Sequence, residues 1–380
     1  MKSRRLNNHL LAILLCLIPL LAAAAGLCAA PAESETLQRE EFWKFPGLSL
    51  TVPAAGNLVN FLPLAVPESG DLIPWVIYPS QLLAHLPLYG LNVPKALWYT
   101  GMELLLPAAG IGLMAAGSND FLQDGSALLL GAYQSVTQFS VYEVYREFRS
   151  RTPPEDAYRR DFNSRSFGEV LRGEFSVSSL RKAIVWIPTL LGPALLSGYR
   201  LLAEGDTESA VWSTGSAYIG DTEVHPAAGF AYTLGRSLAA MSLVGIGEEA
   251  LYRGVIYEEI KTRTSRRTAR MIDALLFPAI HLPGDIYAGF STGTVAFQFI
   301  WRAGMTLVFD EAYDQGGVPL AAAVHMWSDV LLLLVQWLAY GGVPGGTAGS
   351  GNSLWMVPLD YAEAAPWPQQ GLTLRFSIPL

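Results

Sequence analysis

Three charges in an otherwise apolar stretch constrain this chain more than any other feature. Residues 245–257 read GIGEEALYRGVIY, and Glu248, Glu249 and Arg253 stand there between the apolar runs 230–246 and 255–260. Charges in such surroundings are costly unless they are paired or face a hydrated cavity. Helical spacing offers both solutions. Glu249 and Arg253 are four residues apart with the acid on the N-terminal side, the favourable order for an ion pair on one helix face. Glu248 is turned by about 100° from its neighbour, cannot easily use the same partner, and is left to face a cavity. The pattern therefore predicts a structural pair, Glu249 with Arg253, and a chemical carboxylate, Glu248.

The rest of the chain predicts where such a helix would lie. Charged residues make up 15% of the sequence, against roughly 25% in ordinary globular proteins, and hydrophobic residues 51%. That deficit of charge predicts an all-α polytopic membrane protein, a bundle of about seven or eight transmembrane helices around a buried polar cavity, with the lipid bilayer as its surroundings. A net charge of −8 and the lack of a basic stripe interleaved with aromatics argue against a nucleic-acid partner.

Five regions follow in order. Residues 1–32 have a basic start (Lys2, Arg4, Arg5), an apolar run and an Ala30-Pro31-Ala32 site, the parts of a signal peptide or of an uncleaved first anchor. Cys16 and Cys28, the two cysteines, both lie there, and neither follows the small residue a lipid-attachment motif needs. Cleavage would thus remove disulfides and cysteine chemistry altogether. Residues 33–74 read as an exported, loop-like segment rich in Pro and Gly. Residues 75–180 hold N-terminal helices at 97–117 and 127–145, a weaker span candidate at 75–91, and an Arg-rich loop from Arg146 to Lys182, which the positive-inside rule makes cytoplasmic. Residues 181–340 form the helical core, with apolar spans at 183–203, 230–260, 271–287, 294–309 and 318–340. Its loop 204–225 carries five acids and no Lys or Arg, as an external loop should, whereas 261–270 carries five basic residues and is cytoplasmic. Residues 341–380 form an exported Gly/Pro-rich tail, so the C-terminus is predicted external to a cell inner membrane.

Two histidines sharpen the core. Phe277 to His281 spells F-x-x-x-H and His325 to Asp329 spells H-x-x-x-D, each within an apolar run and each following the acidic motif. The ordered set E-E-x-x-x-R, F-x-x-x-H, H-x-x-x-D over residues 181–340 resembles the CPBP family of membrane proteases (CAAX prenyl protease and bacteriocin-processing, also called Abi). The last position is Asp where the better-studied prenyl proteases have Asn. The resemblance implies peptide-bond hydrolysis of a membrane-associated peptide or protein, with Glu248, His281 and His325 as the catalytic core.

Residue chemistry leaves two mechanisms. In the metal-free one, which is preferred, Glu248 and His281 hold and deprotonate a water while His325, oriented by Asp329, stabilises the oxyanion. In the other, Glu248, His281 and His325 ligate a divalent metal such as zinc, which lowers the pKa of a bound water to about 7. The chain lacks the helical H-E-x-x-H zinc motif. A rival of another class is a non-catalytic membrane scaffold, an immunity protein, or a small-molecule or ion carrier that reuses the buried charges. The remaining charges have structural expectations: Arg302 and Arg236 snorkel or pair with Glu103 or Asp310, Glu258 and Glu259 belong to a solvated helix end, and His85 and His225 stand outside the motif set.

Overall fold

The computed structural model describes residues 42–51, 81–116, 120–151, 165–204, 215–219, 222–287 and 292–340. The signal-like segment, most of the exported segment 33–74 and the tail 341–380 lie outside the described residues. Nearly everything described is helical, as the low charge and long apolar runs require. After a single turn at Leu88–Leu91, α1 runs Val93–Ala116 and α2 Asp120–Arg151. Short helices α3 (Phe167–Glu174) and α4 (Val177–Leu180) lead into α5, Ala183–Glu204, with Pro188 and Pro193 inside it. α6 spans Pro226–Leu251 and passes through a π-helical segment, Tyr252–Tyr257, into α7, Glu258–Arg263. α8 is Arg266–Tyr287 and α9 Thr292–Tyr340.

α9 is two arms, 292–316 and 318–340, because Gly317 has φ 69° and ψ −168°, a conformation that breaks the helix and that glycine adopts without a Cβ penalty. Partners on α6 and its continuation show that the chain reverses there. Before Gly317, Asp310 reaches Arg253 and Asp314 reaches Tyr257 and Lys261. After it, Val318 lies against Gly254, Ala322 and Met326 against Gly245, and Trp337 against Gly229. The first arm therefore runs parallel to α6 and the second antiparallel to it, which makes α9 a helical hairpin lying along the motif-bearing helix.

Two stretches are long and apolar enough to cross a membrane by length and composition, Val93–Leu113 and Thr292–Leu338, and Ala183–Leu195 is a shorter apolar one. The helices that carry the acidic and first histidine motifs are not among them. Arg236, Glu248 and Glu249 interrupt the apolar runs of α6, and Asp273 and Asp285 those of α8. Large apolar side chains still point outward along α1 (Leu97, Leu104, Leu105), α5 (Leu190, Leu191) and the first arm of α9 (Ile300), a surface that lipid and not water would cover.

Several expectations are corrected. The described part of 75–91 is not one helix: residues 81–82 are helical, turns follow over 83–87, and the helical turn Leu88–Leu91 starts only after Pro87, whose ring fixes φ and removes an N–H donor. The acidic loop before α6 contains a two-stranded antiparallel hairpin, β1 (Ala217–Ile219) and β2 (Thr222–Val224), with Ala217 opposite Val224. Arg302 pairs with Asp285 at 2.5 Å and Arg236 with Asp124 at 3.1 Å, neither with Glu103 or Asp310. Glu103 is taken by His85, at 2.7 Å. Glu258 and Glu259 are buried and not solvated. Lys261 lies 2.6 Å from Glu258, and Glu259 accepts from Arg149, from the Tyr145 hydroxyl at 2.8 Å and from Arg263 at 2.7 Å. Glu259 thus locks α2 to α7 across the bundle, so the apparent solvated end is a packed joint.

Candidate active site

Glu248 and Glu249 lie in the last turn of α6, just ahead of the π-helical segment that carries Arg253. Such local widening of a helix is frequent at functional sites because it re-aims the side chains around it. Here the i, i+4 pair is preserved: Arg253 Nη1 donates to Glu249 Oε1 at 3.1 Å, both side chains fully buried. Arg253 does not stop at that partner. Its Nε lies 3.4 Å from Asp273 on α8 and 3.3 Å from Asp310 on α9. Its guanidinium also covers the rings of Phe277 and Phe309 at 4.5 and 5.0 Å, within cation–π range. One cation thus holds three acids from three helices beneath an aromatic wall.

Above that wall the two histidines meet the acids. His281 Nδ1 donates to the Phe277 carbonyl at 2.8 Å; a carbonyl only accepts, so this nitrogen carries the proton and Nε2 keeps a bare lone pair. That Nε2 lies 4.0 Å from Glu248 Oε1. The local-carbonyl contact and the approach to Glu248 therefore coexist, the first setting the tautomer for the second. His325 faces the other oxygen of the same carboxylate, Nε2 to Glu248 Oε2 at 3.9 Å. Its ring is stacked on Phe309, centroids 4.6 Å apart, and held from both nitrogens: Nδ1 to Glu249 Oε1 at 2.8 Å, Nε2 to Asp329 Oδ2 at 3.3 Å. With both acids ionised, His325 donates on both sides.

The structure thus places Glu248, His281, His325 and Asp329 in one cluster drawn from α6, α8 and the second arm of α9. Glu249 departs from a purely structural role. Its Oε1 accepts from Arg253 and from His325, so the residue links the buried cation to the imidazole. Asp273 and Phe309 were not singled out from the sequence, and Asp310 was named only as a partner for Arg302 or Arg236. The signal was there for the two aspartates, each an acid inside an apolar run, but nothing in one sequence says that their helix faces turn toward Arg253.

What the cluster can hold follows from its spacing. A water bonded at about 2.8 Å to each of two atoms bridges a gap of about 4 Å when its two contacts meet near a right angle, and this is the gap between Glu248 and each histidine. A tetrahedral zinc with bonds of about 2.0 Å needs ligand atoms about 3.3 Å apart. The observed gaps exceed that, and among the described residues no group of three acid, His or Cys side chains is arranged to hold a metal ion. As placed, the two gaps match a bridging water more closely than a pair of zinc ligands.

Residues 230–331 match the family model described as Type II CAAX prenyl endopeptidase Rce1-like. No curated protein and no solved structure matches the chain at a significant level. The matched segment begins in α6 and ends just past Asp329, so it contains every residue of the cluster, and together with the apolar helices it supports a membrane protein similar to the CAAX proteases. Over those residues the chain is similar to the type II CAAX prenyl endopeptidases, a match that supports the CPBP resemblance of its motifs.

Proposed function

We propose that this protein is an intramembrane endopeptidase that hydrolyses a peptide bond of a membrane-associated peptide or protein. The observation that carries this is the meeting of Glu248, His281 and His325, separated by 33 and 77 residues in sequence, within 4.0 Å of one carboxylate. Three polar groups on three apolar helices would each be desolvated if they faced lipid, and convergence on one hydrated point removes most of that cost.

The chemistry follows from the donors and acceptors present. A water between Glu248 and His281 loses a proton to the Glu248 carboxylate as its oxygen attacks the scissile carbonyl carbon. The oxyanion accepts from the Nε2–H of His325, which swings from Asp329 Oδ2 toward the developing charge while Glu249 holds the ring at Nδ1. Collapse breaks the C–N bond, and the proton held on Glu248 goes to the leaving amine. Asp329 acts through His325; an ionised carboxylate has no proton to give an oxyanion, which fits Asp at a position where Asn could have donated directly.

Incubating purified wild type and Glu248→Ala with a membrane-peptide library, read by mass spectrometry, tests the proposal. Wild type is expected to yield new termini that the variant does not. Identical product sets would leave the cluster as the binding site of a non-catalytic scaffold or carrier.

The enzyme would sit in a cell inner membrane with the loops 146–182 and 261–270 on the cytoplasmic side and the loop 204–225 and the C-terminus outside. Reporter fusions after residues 164, 212, 265 and 380 should report cytoplasmic, external, cytoplasmic and external in turn. A cytoplasmic signal from the last fusion would overturn the orientation of the final span.

A further inference from the structure

Glu174 ends α3 in a position that a structural residue has little reason to hold. Its side chain is fully buried, and neither carboxyl oxygen has a hydrogen-bond partner among the described residues. The C-terminal end of a helix also carries partial negative charge, which disfavours an acid. Burial pushes the Glu174 carboxyl well above the usual carboxylate range, so it presents an O–H donor beside a C=O acceptor.

Its surroundings tie it to the site. Gly245 leaves room for it: a Cβ there would stand 3.3 Å from Glu174 Oε1. Gly245 precedes Glu248 and Glu249 by three and four residues, one helical turn on the same face of α6. Ser242 on that helix also faces Glu174, its own buried hydroxyl likewise without a partner at hydrogen-bond distance, and the imidazole of His325 acts on the carboxyl electrostatically. From the other side, Trp327 Nε1 donates to the main-chain carbonyl of Glu174 at 3.1 Å, two residues beyond His325. The carboxyl therefore lies where α3 meets α6 and the second arm of α9, about one turn from the histidine–glutamate contact.

We propose that Glu174 is a substrate-contact residue of this site, pairing with the N–H and C=O that one residue of an extended peptide presents on the same edge. This role rests on the peptidase proposal and adds that the substrate is bound as a strand. An unpaired buried carboxyl is costly, whereas a peptide that parts α3 from α6 and lies along it supplies the donor and the acceptor it lacks.

The test uses the full-length protein in detergent, with the inactive Glu248→Gln variant so that peptides are not consumed. Dicyclohexylcarbodiimide, an apolar reagent, adds the O–H of a protonated carboxylic acid across one of its C=N bonds, and adducts are located by mass spectrometry. Glu174 is expected to be modified in the folded protein, and the whole membrane-peptide library, cleaved or not, to protect it. In the active background, E174Q, whose amide keeps a donor and an acceptor, is expected to leave KM near that of wild type, whereas E174L, which has neither, is expected to raise KM about tenfold with kcat little changed, the effect of losing one or two hydrogen bonds made in both ground and transition states. If no library peptide is cleaved by wild type the peptidase proposal falls, and protection of Glu174 still decides whether peptides bind there. No adduct at Glu174 in folded protein, an adduct that peptides do not block, or KM unchanged in E174L, overturns the role.

Discussion

Glu248→Gln is expected to give a folded protein that no longer turns over. Replacing the carboxylate with an amide of the same shape keeps the contacts to both histidines within reach but removes the group that takes the proton from water. General-base catalysis is worth on the order of 10²- to 10⁴-fold, and kcat should fall by that factor or more. Stability should not fall with it. Glu248 is buried, lies 3.9 to 4.0 Å from its two histidines and takes no part in the Arg253 cluster. A neutral side chain there relieves desolvation and leaves no cation unmatched. Thermal unfolding in detergent should show a midpoint equal to or above that of wild type, and single-turnover assays should locate the loss in the chemical step. A variant that binds and cleaves peptide at the wild-type rate would remove Glu248 from the chemistry.

Much of this site was legible in the sequence because its logic is local. The spacing of Glu249 and Arg253 gave their pairing, the rotation of Glu248 gave its separation from that pair, and the two histidine motifs gave residues that needed a shared destination. The long helices α1, α2, α5 and α6 lie close to the apolar runs that suggested them. What periodicity could not supply was partners across helices. It tells which residues share a face and not which face of which helix will meet it. Arg302 therefore went to Asp285 in place of Asp310, Glu258 and Glu259 turned out buried with Glu259 joined to α2, and Asp273 and Asp310 joined Arg253. Glu174 was hidden for a different reason. It stands in an Arg-rich stretch where an acid reads as solvated, and only the packing of α3 against α6 and α9 shows its burial.

Arg253→Ala is expected to have the opposite signature, loss of folded protein. Arg253 is fully buried and is the cation common to Glu249, Asp273 and Asp310, whose side chains are buried as well. Deleting one partner of a buried pair costs about 3 to 5 kcal/mol because an unmatched charge is left behind, and here three acids lose the same cation. The wall suffers too, since Phe277 and Phe309 lose the guanidinium that covers their rings. A loss of that size is a large share of the about 5 to 15 kcal/mol that holds a typical native domain together, so purified yield and unfolding midpoint should both drop sharply. Arg253→Lys should recover little: an ammonium lacks the planar fork that lets one side chain reach three carboxylates while stacking on two rings. The decisive control is the double variant Arg253→Met with Asp310→Leu. Removing an acid together with the cation should restore part of the yield if unmatched buried charge is the cause. If Arg253→Ala folded as well as wild type but lost turnover while Glu248→Gln lost yield, the assignment of the two glutamates to structure and chemistry would have to be exchanged.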